Sequence, residues 1–200
     1  ADTMFSIPRT ILRRASVLAI ALGTFSCTND LAPRDGTSSR AGPRTGREIQ
    51  LSDVDRSVRS FLGEERLRAL VSAERVRAYR IDGRGATPGA ESSGERVGSF
   101  PVLEGPVDLD ADLVHQIRTL AAKEESYDFA SAKGCEFRPG FALELVSPKE
   151  RPLFVLVCFE CDEWAFLREG ARVTEDLSRE ARAAFEKIAR TSFPTAPWPF

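Results

Sequence analysis

The pattern of apolar and polar positions is clearest in the C-terminal half of the chain. Residues 153–159 carry no charge and one cysteine, the most apolar run downstream of the N-terminal region. An unbroken run of that length predicts a central strand covered on both faces. Just before it, Phe141-Ala142-Leu143-Glu144-Leu145 alternates, the signature of a strand with one wet face, and residues 147–152 supply the turn between the two. Trp164 to Leu167 either continues the long strand or begins the next. Glu169-Gly170 predicts a turn toward Arg172-Val173.

Three stretches follow a helical period instead. Ser52 with Asp55 three residues on has the form of a capping box. Behind it Val54, Val58, Phe61 and Leu62 share one helical face, Gly63 interrupts, and Leu67, Leu70 and Val71 resume, so two short helices or one kinked helix are expected over residues 52–72. Asp110 is placed as the N-cap of a helix over residues 111–124, with Leu113, Val114, Ile117, Leu120 and Ala121 as its buried stripe. Tyr127 and Phe129 then bring the chain back onto the core. Ser178 caps a last helix with Leu177, Ala181, Ala184, Phe185 and Ile188 on one face, ended by Phe193-Pro194.

Two weaker strands lie between the first two helical stretches. Residues 75–81 read as a strand whose arginines suit a sheet edge or a half-exposed face. Residues 97–103 read as another, pushed to an edge by Pro101. The glycine-rich residues 82–94 between them form a loop. Its Gly83-Arg84-Gly85 lacks the third glycine and the following helix of a dinucleotide fingerprint. The order of elements predicts an α+β fold, a mostly antiparallel sheet with helices packed on one face. Residues 51–194 are expected to form a single domain and residues 195–200 a tail.

The N-terminus has a different pattern. Arg9, Arg13 and Arg14 precede an apolar stretch over residues 15–22, too short to span a hydrocarbon layer of about 30 Å and placed as in a secretory signal. Residues 1–26 are read as that signal, with residues 1–3 upstream of a true start at Met4. The signal ends on Gly23-Thr24-Phe25-Ser26-Cys27, which resembles the box of bacterial lipoprotein signals, where a small residue precedes a cysteine that is lipidated after cleavage. The resemblance implies a lipid anchor at Cys27 and a location on the outer side of a membrane, in the periplasm or at the cell exterior. Thr24 and Phe25 depart from the usual pattern there. Residues 27–50 are rich in Gly, Pro, Ser and Thr as far as Arg47 and read as a flexible tether.

Composition narrows the function without naming it. Of 200 residues, 42% are hydrophobic and 29% charged, so a folded core is expected rather than a disordered chain. The 28 basic and 30 acidic residues are interleaved, as at Glu64-Glu65-Arg66, which gives no field for a polyanion and argues against nucleic acid as a partner. No Ser/His/Asp set, carboxylate pair or phosphate loop stands out, and no cofactor is expected. His115, the only histidine, falls off the buried stripe of its helix and is read as solvent-facing.

The remaining cysteines are Cys135, Cys158 and Cys161. In an exported chain thiols tend to pair. If residues 158–161 stay extended, their ends lie about 10 Å apart, beyond the roughly 7 Å limit of a disulfide. Cys135 is then expected to pair with one of them, which one being open. Two alternatives use all three. A thiol redox centre requires a low-pKa cysteine, yet Asp162 and Glu163 add negative charge behind the Cys-x-x-Cys. A metal site would take Cys135, Cys158 and Cys161 with His115 or a carboxylate such as Asp162 as fourth ligand, though its turn lacks the usual Gly or Pro.

Gly134-Cys135-Glu136-Phe137-Arg138-Pro139-Gly140, the apolar strand ending Cys158-Phe159-Glu160-Cys161-Asp162 and the capped terminal helix together resemble a group of small uncharacterised bacterial proteins. These carry a Cys…Cys-Phe-x-Cys-Asp layout, often behind a secretion or lipoprotein signal. The resemblance covers residues 112–194 and implies one folded unit containing all three cysteines. The expected function is a membrane-tethered extracytoplasmic module acting in binding or envelope structure, with thiol redox or metal binding as the alternative.

Overall fold

A computed structural model describes residues 48–85, 94–131 and 133–198. The expected signal, the expected lipidation site at Cys27 and most of the expected tether lie outside them. The described chain runs α1 (Arg56–Val71), β1 (Arg75–Ile81), β2 (Arg96–Val97), β3 (Phe100–Asp108), α2 (Ala111–Ala122), β4 (Phe141–Val146), β5 (Leu153–Cys158), β6 (Glu163–Arg168), β7 (Ala171–Asp176) and α3 (Arg179–Ser192). The strands form one antiparallel sheet in the order β2-β3-β1-β4-β5-β6-β7. This is the α+β arrangement expected from the element order.

The helices stop and start where polar side chains can satisfy their free ends. Leu113 N–H donates to Asp110 Oδ1 at 2.9 Å, and Ala181 N–H donates to Ser178 Oγ at 3.2 Å. At α1 the capping differs from expectation. Gln50 and Asp53 close a short turn ahead of the helix, through Gln50 N–H to Asp53 Oδ2 at 2.9 Å. Asp55, rather than Ser52, precedes α1, and its carboxylate reaches across to accept Glu124 N–H at 2.8 Å. Gly63, with φ +73° and ψ 165°, breaks the helical path and gives the expected kink.

One face of the sheet carries Val76, Ala78, Phe141, Leu143, Leu145, Leu153, Val155, Val157, Trp164 and Phe166. All are essentially without solvent contact. Val58, Leu62 and Leu70 of α1, Ile117 of α2 and Phe185 and Ile188 of α3 belong to the same core. Tyr127 packs there too, at 4.5 Å between ring centroids from Trp164, with its hydroxyl donating to Ala121 O at 2.8 Å. The core extends past the boundaries drawn from sequence. Ile49 is buried in it, and Trp198 packs against Phe141, Phe159 and Phe193.

The opposite face rolls inward. Val97 and Val102 of the β2–β3 hairpin cluster with Leu156 of β5 and Ala165 of β6, strands several places away in the sheet. At the hairpin turn, Gly98 comes so near β6 that a Cβ there would sit 2.6 Å from Leu167 Cδ2. Two expectations change as a result. The second face of β4 is buried rather than wet, with Glu144 only 6% exposed. And β1 is interior, between β3 and β4, rather than at an edge. Its arginines are accommodated because carboxylates face them. Arg77 Nη2 lies 2.6 Å from Glu144 Oε2 and Arg80 Nε 3.2 Å from Glu104 Oε2. Tyr79 adds its hydroxyl to Glu144 at 2.7 Å, so the buried carboxylate has two donors. Burial and Glu144 hold the Tyr79 phenol well above its usual pKa, and Glu144 raises that of Arg77.

Candidate functional site

The cysteines meet at one corner of the sheet. β5 ends at Cys158 and β6 begins at Glu163, so residues 159–162 form the hairpin turn rather than an extended strand. Asp162 takes φ +53° to close it, and its carbonyl accepts Leu177 N–H at 2.7 Å. Cys161 is joined to Cys135 in a disulfide, with Cα atoms 5.8 Å apart and a separation of 26 positions in sequence. Cys158 and Cys161 do not pair, as expected, but because of the turn and not of strand extension.

The disulfide pins the segment leading into β4 across the rolled face. Beneath that segment, Gly83 leaves no room for a side chain: a Cβ would fall 2.4 Å from Arg138 C. Phe137 packs on the cluster of the rolled face, and the Arg172 guanidinium sits 5.2 Å from its ring centroid. Lys133 Nζ donates to Cys161 O at 3.2 Å and lies 3.9 Å from both Asp162 Oδ2 and Asp176 Oδ2. Arg182 of α3 pairs with Asp162 and Glu186. The turn is therefore held by a bridge, two cations and a helix.

Cys158 is the one free thiol among the described residues, and it is buried. Burial pushes its pKa up, the opposite of what a redox nucleophile or metal thiolate needs. With Cys135 and Cys161 in a disulfide, the three-thiolate metal set is not assembled. His115 lies half-buried on α2, which packs on α1 and β1, apart from the cysteine turn. Among the described residues no group of three or more His, Cys, Asp or Glu side chains could hold a metal ion, and no helix is long and apolar enough to cross a membrane.

A carboxylate pair, not singled out from sequence, sits beside the turn. Glu163 and Asp176 are cross-strand partners, and burial together with the Asp176 charge raises the Glu163 pKa. Asp176 is 4% exposed. Neither lines either of the two clefts described next, and Lys133 Nζ stands 3.9 Å from Asp176 Oδ2.

Among the clefts on the described surface, two stand out. One, of about 400 Å³, lies between Arg80, Arg84 and Arg138 and the aromatic Phe159 and Trp198. Its charge is largely compensated. Arg80 is paired with Glu104 and Arg138 with Glu136, while Asp82 and Glu160 also line it. The other, of about 420 Å³, opens where the β2–β3 turn leans over β5, β6 and β7. Phe100, Phe154, Leu156 and Leu167 wall it, with Glu169 and Arg172 among its polar lining. Neither cleft carries a sequence motif. Only the roll of the sheet brings their walls together. No protein-family model, curated protein or solved structure matches the chain.

Proposed function

We propose that the chain is an extracytoplasmic module, tethered to a membrane through a lipid at Cys27, that acts by binding rather than by catalysis. The observation that carries this reading is the Cys135–Cys161 disulfide, in a chain whose N-terminus resembles a lipoprotein signal. Disulfides persist in oxidising compartments outside the cytoplasm, and a tether followed by a bridged domain belongs there. Two or more acyl chains suffice for stable attachment. The buried, high-pKa Cys158 supports a structural role for the cysteine corner.

The test is the mass of the mature N-terminal peptide from membrane fractions, run beside a thiol count of the folded protein. A lipid-modified Cys27 and one slowly reacting thiol among Cys135, Cys158 and Cys161 are expected. An unmodified Cys27 or cleavage at another bond ends the anchor reading. Three fast-reacting thiols, or stoichiometric bound metal, would transfer the case to thiol redox or metal binding.

A further inference from the structure

The apolar cleft on the rolled face has the composition of a small-molecule site. Its volume of about 420 Å³ lies within the range of roughly 300–1,000 Å³ that ligand pockets occupy. Phe100 comes from β3, Phe154 and Leu156 from β5, and Leu167 from β6, so three strands supply an apolar wall with no charged side chain among them. The two charged lining residues differ. Glu169 is neutralised by Arg151. Arg172 is exposed and, among the described residues, makes no ion pair within 4 Å, although its charge is felt at the Glu163 carboxylate. Its guanidinium rests over the face of Phe137.

That contact also orients it. Phe137 lies in the segment held by the Cys135–Cys161 bridge, so the guanidinium rests on a ring that the disulfide keeps in place. A guanidinium stacked on an aromatic ring keeps its in-plane N–H donors free for a carboxylate. An apolar cavity with one cation held on a ring and free of a close ion pair complements a molecule with an apolar body and a single anionic end.

We infer that this cleft binds a small alkyl carboxylate, the chain against Phe154, Leu156 and Leu167 and the carboxylate on Arg172. The inference rests on the reading of the domain as a binding module and supplies the ligand class. A second macromolecule fits less well, because the site is a pocket walled on three sides with its cation at one point. The arginine-lined cleft lacks this asymmetry, since Arg80 and Arg138 are already paired and Asp82 and Glu160 line it as well.

The experiment is equilibrium dialysis of radiolabelled decanoate, and separately of decanol, against the full chain carrying C27S, so that no acyl group of its own competes. One saturable decanoate site is expected, with decanol bound more weakly. R172Q, at an exposed position that leaves the fold intact, should weaken decanoate about tenfold, the worth of one hydrogen bond to a charged group, and leave decanol unchanged. L167W and F154W, each filling the cleft, should abolish binding of both, with circular dichroism confirming the fold. Absence of saturable decanoate binding overturns the inference. So does decanoate affinity indifferent to R172Q, or binding that survives whichever filling variant folds. None of these results bears on the Cys27 mass, so failure here is distinguishable from failure of the tethered-module reading.

Discussion

Replacing both partners of the disulfide, as C135S/C161S, isolates the contribution of the bridge without leaving an odd thiol to exchange with Cys158. The bridge closes a 26-residue separation. In the chain-entropy treatment, tying such a loop removes about 12 cal/mol/K from the unfolded ensemble, or about 3.5 kcal/mol at 25 °C. The native geometry offsets little of this, because the ends are also held by other bonds. Lys133 reaches Cys161 O, Gly140 N–H reaches Val157 O, and Leu177 N–H reaches Asp162 O. The variant should therefore keep its fold and lose stability. With an m-value of about 2 kcal/mol/M, the urea midpoint should fall by about 1.8 M. The assay is equilibrium urea unfolding followed by far-UV circular dichroism, on oxidised wild type and variant side by side. A loss below about 1 kcal/mol at unchanged m would refute the reasoning and mean that the unfolded chain already holds residues 135 and 161 together.

Further predictions follow from the polar groups and from the backbone. Glu163 has a raised folded pKa, so the native state holds its proton more tightly than the unfolded chain, and ionising it costs stability as pH rises above the ordinary carboxylate range. E163Q should stabilise the protein at pH 7 and not at pH 4, as read by thermal melts at both; equal effects would refute this. E144A, which leaves Arg77 facing a buried gap, should cost about 3 kcal/mol, whereas Y79F, which leaves the Arg77 pair intact, should cost about 1.5 kcal/mol. The order of the two in urea titrations is the check. G63A meets no atom within 4 Å but must adopt φ +73° and ψ 165°. Its cost of about 1–3 kcal/mol is thus purely conformational, and a neutral result would mean that α1 straightens.

Local patterns were legible and what covered them was not. The period of residues 111–121, the caps Asp110 and Ser178 and the kink at Gly63 depend on neighbours within one turn, and each stands where the chain places it. The Glu169-Gly170 turn, with both residues at positive φ, is equally local. Alternation along β4 identifies Ala142 and Glu144 as sharing a face, but that face is wet or dry according to what crosses it. Here the crossing elements are the β2–β3 hairpin, which sequence reading assigned to an edge strand, and the segment before β4, to which it gave no element. The same limit applies to the clefts. Phe154 and Leu167 are ordinary apolar strand residues until Gly98 brings a distant turn against them. For the cysteines, spacing left Cys158 and Cys161 as equal candidates for Cys135. The hairpin turn decides between them, because it ends the strand after Cys158 and turns Cys161 toward the bridging segment.

The strand order has a consequence for how the chain reaches this state. β4 to β7 follow one another as a simple meander, and β1 to β3 form a separate local group, so the β1–β4 ladder is the one seam that joins remote stretches. Tyr79 and Glu144, which meet across it, are 65 residues apart. Cys135 and Cys161 both belong to the later group. The bridge can therefore be oxidised within the meander alone, before the earlier strands arrive, and the slow event is closure of the seam, where loop entropy is spent before contacts repay it. Were the chain exported as proposed, this order would leave the last-emerging half to serve as the template onto which the first-emerging half docks.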